Sequence, residues 1–200
     1  MFPTWLLAKM RKIAFVEYIW QRSIHYKYQG MHFMELKRLK SAYNKNKRSF
    51  RSFITRLEKS RHAGINKLAE NIEKEVWQEV QCLSCANCCK KMTPTLNAAD
   101  KKRIANYLGI STEAFTEKYL EYDKKEKDWR MQKQPCMFLD LKTNKCGIYE
   151  IRPLDCRGFP HLTKKPMKTF MYIHKQNIEY CPATYRFVEK MMDRIEFVNH

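Results

Sequence analysis

Leu36, Leu39, Tyr43, Phe50, Phe53 and Leu57 fall at or near seven-residue spacing, with Asn46 interrupting, while polar and basic residues fill the positions between. That period predicts a helix with a single apolar seam. The pattern stops at His62, Ala63 and Gly64, then resumes with Ile65, Leu68, Ile72, Val76 and Val80. A second helix is therefore expected, joined to the first at Gly64 as a hairpin. An apolar and aromatic stripe of this kind is core, and no chemistry is assigned to it.

Further along, Asn97 is placed to cap a helix through Ala98 to Leu108, with Gly109 as its C-terminal stop and Ser111 or Thr112 capping another helix to about Leu120. Such a pair superficially resembles a helix-turn-helix, but capped helix pairs are common and the signal is weak. The charged run EYDKKEKDWRMQKQ, residues 121–134, reads as a surface loop. TFMYI, Thr169 to Ile173, is the best strand candidate, expected as half of a small hairpin. A last helix is expected from Pro182, with Tyr185, Val188, Met192 and Ile195 on one face. The fold expected is mainly α: an N-terminal helical hairpin, then a small, irregular, mostly helical domain nucleated by metal, with at most a short β-hairpin.

The opening 30 residues are basic and aromatic without a firm period, and Met31 or Met34 is the expected natural start. The early apolar run Ile13 to Trp20 is too short for a membrane span and contains Glu17. MFPTWLLAKMRK lacks the apolar stretch and cleavage site of a secretory signal, so a cytosolic location is expected.

Cysteine use changes the picture more than composition does. All eight cysteines of the 200-residue chain fall between Cys82 and Cys181, and none precedes them. The chain is accordingly expected to divide into a basic helical region, 1–80, and a cysteine-cluster region, 81–200. In QCLSCANCCK the spacing is C-x2-C-x2-C-C, formed by Cys82, Cys85, Cys88 and Cys89. A two-residue gap lets both sulfurs of a pair turn toward one ion, as in zinc and iron–sulfur sites. Adjacent side chains diverge, so Cys88 and Cys89 are expected to serve two ions, two sides of one cluster, or one ion and the core. Cys136, Cys146, Cys156 and Cys181 supply the remaining sulfurs, enough in total for two four-sulfur sites. Cytosolic thiols stay reduced, which favours metal over disulfides. Zinc and iron are both chemically suitable, including iron in an iron–sulfur cluster, since Cys181–Pro182 echoes the distant cysteine–proline pair of ferredoxin-type runs.

The formal net charge is +18, from 39 Lys+Arg against 21 Asp+Glu. Part of this excess would offset thiolates, and Lys90, Lys91, Arg152 and Arg157 lie near cysteines in sequence, where they would lower thiol pKa. Arg152 and Arg157 are expected to hydrogen-bond sulfur ligands or to pair with Asp155, holding the site from just outside it, the alternative being a carboxylate or phosphate substrate. Ile148 and Tyr149 are expected to cover the metal, and Pro153 to fix the turn. His161 and His174 are nearby but are left out of the ligand set.

The run Cys82, Cys85, Cys88, Cys89, then Pro135–Cys136, then CGIYEIRPLDCR from Cys146 to Arg157, then Cys181, resembles the CxxCxxCC (YkgJ-type) cysteine-cluster family, over about residues 80–185. The resemblance implies a zinc- or iron-chelating domain and a bacterial origin. A second reading is a cluster-dependent redox or methyl-transfer enzyme, because some flagellin lysine methylases resemble this family in their cysteines. The five glycines never form the glycine-rich loop of a common methyl-donor site. A third reading, a zinc-stabilised nucleic-acid module, rests on charge alone. Metal ions are the expected partners, with a protein or anionic surface next, through the basic extension, and nucleic acid last.

Overall fold

The structure is a computed structural model that describes residues 36–59, 64–164 and 167–195, with residues 168 and 169 described by backbone alone. The expectations for residues 1–30, for the start at Met31 or Met34, and for the break at His62 and Ala63 lie outside the described residues. Contacts divide the chain into Met1–Arg38 and Leu39–His200, and the architecture below is that of the second unit.

The described residues are mostly helical, with one short two-stranded antiparallel sheet. Helix α1 is described over 36–59 and α2 over Ile65–Glu79. Gly64 precedes α2 with φ of 76°, a left-handed conformation that glycine adopts without Cβ strain. The seam expected from the sequence is buried: Tyr43, Phe50, Phe53, Ile54 and Leu57 on α1 meet Ala69, Ile72 and Val76 on α2 in one apolar cluster. Helix α9, Pro182–Arg194, adds Tyr185, Phe187, Val188 and Met191 to it. Its proline stands at the first turn, where the missing N–H costs nothing.

TFMYI is not a strand. Met167–Phe170 forms a 3-10 turn that runs into helix α8, Met171–Asn177. Over a longer window, Met167, Met171, His174 and Ile178 recur at helical spacing, and all four are buried. Five residues were too short a window for the period to show.

A second apolar cluster lies under α5, Ala98–Leu108, and α6, Thr112–Tyr119. Both caps fall where the sequence put them. Asn97 and Asp100 form a reciprocal capping box on α5, the Ser111 hydroxyl accepts from the Ala114 amide, and Gly109 ends α5 at φ 68°. The run 121–134, expected as a loop, holds the hairpin instead. Strands β1, Leu120–Asp123, and β2, Asp128–Met131, pair with Leu120 opposite Met131 and Tyr122 opposite Trp129. The Asp123 carboxylate accepts from the Lys125 and Glu126 amides, and Lys127 takes the left-handed position, at φ 58°. The turn is thus closed by one side chain within a charged run, which reads as loop when charge alone is counted. Among the described residues no helix is long and apolar enough to cross a membrane.

Candidate metal centre

Helix α2 ends at Glu79, capped by Val80, and two short helices follow: α3, Cys82–Cys85, and α4, Asn87–Lys91. Ala86 joins them at φ 47°, an αL conformation that costs a non-glycine residue about 1 kcal/mol. The sharp reversal there folds the C-x2-C-x2-C-C run onto itself. Its far end is tied down by Asn87, whose Nδ2 donates to the Tyr180 carbonyl at 2.6 Å. That bond brings the run beside Cys181, the residue capping α9.

A small cavity, about 20 Å³, opens between these segments and is lined by Cys82, Cys85, Cys88 and Cys181, with Val80, Phe159 and Tyr180 among its other walls. The structure therefore gathers three cysteines of the first run with the most distant one. Burial raises the thiol pKa of Cys82, pushes Cys85 up to about 11, and raises Cys181. Against the last of these shifts act the Thr184 and Ala183 amides, which favour the thiolate.

Cys89 belongs to other company. Its carbonyl accepts from the Cys136 amide at 2.8 Å, and the next turn bonds Leu139 N to Cys136 O, with Leu139 bridged to Cys146. Burial raises Cys136, Cys146 and Cys156, and in each case the charge of Cys89 adds to the rise. Cys156 feels Cys136 and Cys146 as well. Cys89, Cys136, Cys146 and Cys156 are thus mutual neighbours. The two groups touch at the vicinal pair, whose sulfurs stand 3.9 Å apart and share a hydrogen bond that holds Cys89 down and Cys88 up, and Cys89 also adds to the rise at Cys82.

The segment from Cys146 to Cys156 is held by guanidinium groups on its carbonyls. Arg152 Nη1 donates to Tyr149 O and its guanidinium lies 3.8 Å from the Tyr149 ring centre. Arg157 donates to the carbonyls of Glu150 and Arg152, at 2.9 and 3.1 Å. Neither arginine pairs with Asp155, which instead meets His161 Nε2 at 3.2 Å and accepts from the Thr95 amide. Arg152 does stand close enough to Cys82 and Cys146 to favour both thiolates, one from each group. Of the nearby lysines, Lys90 favours the thiolates of Cys85 and Cys89. Ile148 is buried in the second cluster, whereas Tyr149 is partly exposed under Arg152. His174 is buried against Phe187 and lies in the helical cluster.

Sequence reasoning missed the residues that anchor this segment. Asp100, 2% exposed, accepts from Arg103 at 2.5 Å and from the Leu154 amide at 3.1 Å, and Arg103 reaches on to the carbonyls of Ile151 and Arg152. Asp100 was legible only as a helix cap. The signal available was its D-x-x-R spacing, which places the two side chains together on α5.

Among the described residues no group of three or more His, Cys, Asp or Glu side chains stands ready-arranged to hold a metal ion. The donor set nevertheless fits zinc or iron. It consists of thiols alone, partly desolvated and, Cys89 excepted, poor thiolates by themselves; a divalent cation supplies the charge that deprotonates them. Ligands of this kind are drawn together by the metal they bind.

Residues 81–182, half of the chain, match the family described as "CxxCxxCC: Putative zinc- or iron-chelating domain". An uncharacterized protein of Methanocaldococcus jannaschii is 36% identical over 86 residues, covering 40% of this chain. The chain matches 43% of that relative's length, so it spans less than half of it. No solved structure matches. The order and spacing of the cysteines, the groups they form in space and the matched span lead to one assignment: the chain belongs to the CxxCxxCC family of zinc- or iron-chelating domains.

Proposed function

We propose that this protein chelates zinc or iron through all eight cysteines, in two sets of four. One set is Cys82, Cys85, Cys88 and Cys181; the other is Cys89, Cys136, Cys146 and Cys156. The observation that carries the reading is the cavity at the head of α9, where three cysteines of the first run meet the last cysteine in the chain. Cys88 and Cys89 then serve different sets, which answers why two cysteines stand side by side.

Within this reading the chain does three things. Asn87 and the Cys136 amide hold the two sets against the first run. Arg152 sits between the sets and offsets thiolate charge on both. Phe159, Val80 and the second cluster limit water at the sulfurs. Bound metal supplies Lewis-acid charge and, if it is an iron–sulfur cluster, electron transfer. Thiols of this kind remain reduced in the cytosol, where the protein is placed by this reading.

The test is metal analysis and an absorption spectrum on protein purified without oxygen and without a metal-binding tag. About two zinc per chain in colourless protein supports closed structural sites. Iron with acid-labile sulfide and visible absorption supports a cluster, and turns the question to redox or radical chemistry. Folded protein that carries neither metal, and takes up neither on anaerobic addition, overturns the proposal.

A further inference from the structure

The outer face of α1 differs from the rest of the charged surface. Between Lys40 and Leu57 the chain has six cations and no carboxylate. Its apolar residues point into the helical cluster. Lys40, Lys45, Lys47, Arg48 and Arg51 are exposed on the remaining arc, together with Ser41, Asn44 and Ser52, and Lys59 extends it. No ion pair among the described residues includes Lys40, Lys45, Arg48 or Arg51, while Lys47 lies over the Tyr43 ring, 5.8 Å from its centre.

On the α2–α9 side several cations are matched: Arg194 and Lys190 hold Glu75, Lys190 also meets Glu79, and Arg186 meets Glu189. Lys175 is paired with Glu58. On α1 the neighbours one turn apart are like charges: Lys45 with Arg48, Lys47 with Arg51, Arg48 with Arg51. Such pairs repel and weaken a helix, so the arrangement lacks an internal partner.

We propose that this face of α1 binds the phosphate backbone of double-stranded nucleic acid without reading its sequence. The arc from Lys40 to Lys59 is about 30 Å long, roughly one turn of a duplex. Lysine and arginine pair with phosphates, and the interspersed serine and asparagine side chains donate to phosphate oxygens. The apolar side of α1 is occupied by the core, so this helix has nothing to insert into a bilayer. No aromatic side chain lies on the exposed arc, so it offers no stacking platform for the bases of a single strand. The inference stands on α1 and does not depend on which metal the cysteines take.

Fluorescence anisotropy with the full, metal-loaded chain and a labelled 30-base-pair duplex of random sequence tests it. Titrations at several salt concentrations should give an affinity that falls with salt, with a log–log slope of about −4 to −5 for five phosphate contacts. The triple variant Lys45→Gln, Arg48→Gln, Arg51→Gln should lose roughly a hundredfold in affinity near 0.1 M salt and about three units of slope. A matched triple variant on the hairpin side, Lys118→Gln, Lys124→Gln, Lys125→Gln, should bind as the unaltered chain does. The double variant Arg48→Lys, Arg51→Lys should retain binding, and helical circular dichroism and metal content should be unchanged in all three. Equal losses from the two triple variants, binding undiminished by the α1 changes, or preference for phosphatidylserine vesicles or a single strand over duplex would each overturn the proposal. Duplex DNA and duplex RNA probes then separate the two sources of the same phosphate chemistry.

Discussion

The two apolar clusters are built from different kinds of sequence. The helical one joins α1, α2, α8 and α9 through residues that repeat at helical spacing, and Tyr43, Phe187, Ile54 and Ile72 among its members are almost fully buried. The other lies under α5, α6 and the hairpin, and it borders a stretch from Gln132 to Phe159 made of turns, a 3-10 turn at Tyr149–Ile151 and the short helix α7, Leu154–Gly158. In that stretch order comes from polar side chains reaching carbonyls: Arg103, Arg152 and Arg157 each hold the backbone of residues 149–152. Each cluster borders one cysteine group, since Cys181 packs in the first and Cys146 against the second. The lesson is that periodic burial stabilises one half, and anchoring of carbonyls by arginine side chains orders the other.

The largest effect expected to break this contrast comes from Cys88→Ser. Metal binding in small thiolate sites is worth roughly 10 kcal/mol or more, so the variant should lose metal from its set and disorder the cysteine stretch. Ile72→Ala, by comparison, should cost about 2–5 kcal/mol and leave metal content unchanged. Metal analysis with hydrogen exchange measured region by region checks both; a Cys88→Ser protein with full metal and full protection would remove Cys88 from the ligands.

Next in size is Asp100→Ala. It removes the acceptor shared by Arg103 and the Leu154 amide while Arg103 keeps its carbonyl partners at Ile151 and Arg152, an effect of about 1–3 kcal/mol. Protection of residues 149–157 should fall first, with the helical cluster intact, and a uniform loss across both clusters would contradict the contrast drawn above.

The smallest effect sharpens the helical side. Burial, aided by His161 and opposed by a hydrogen bond to the Leu162 backbone, holds the His174 imidazole down at about 4. Its ordinary value is near 6.5, so the unfolded chain takes up the extra proton first. The stability contributed by neutral His174 is complete above pH 6.5 and is lost as pH falls toward 4, amounting to about 1.5 kcal/mol at about pH 5.5. Urea unfolding at several pH values should show this slope, and His174→Gln should flatten it; an unchanged slope in that variant would place the titration elsewhere.

Much of this was legible in the chain itself. The seams of α1 and α2, the caps at Asn97, Gly109 and Ser111, and the proline start of α9 are local signals, fixed by residues within a few positions of one another. The Thr169–Ile173 strand and the 121–134 loop were misread because each depended on context. In the first, buried Met167 and Ile178 supply the period; in the second, one Asp123 carboxylate closes a hairpin inside a charged run. The arginines show the same limit, since their donors suit sulfur, carboxylate or carbonyl equally well, and their distance from each decides among them.

By itself, then, the sequence determined the helical periods, the crowding of thiols and the family those thiols mark. Only the tertiary structure brings Cys181, the most distant cysteine, to the cavity that Cys82, Cys85 and Cys88 line. The physical reason is separation along the chain. A helix cap is settled by bonds spanning three residues, but the grouping of sulfurs depends on contacts such as Asn87 to Tyr180, across 93 positions, which no local pattern encodes.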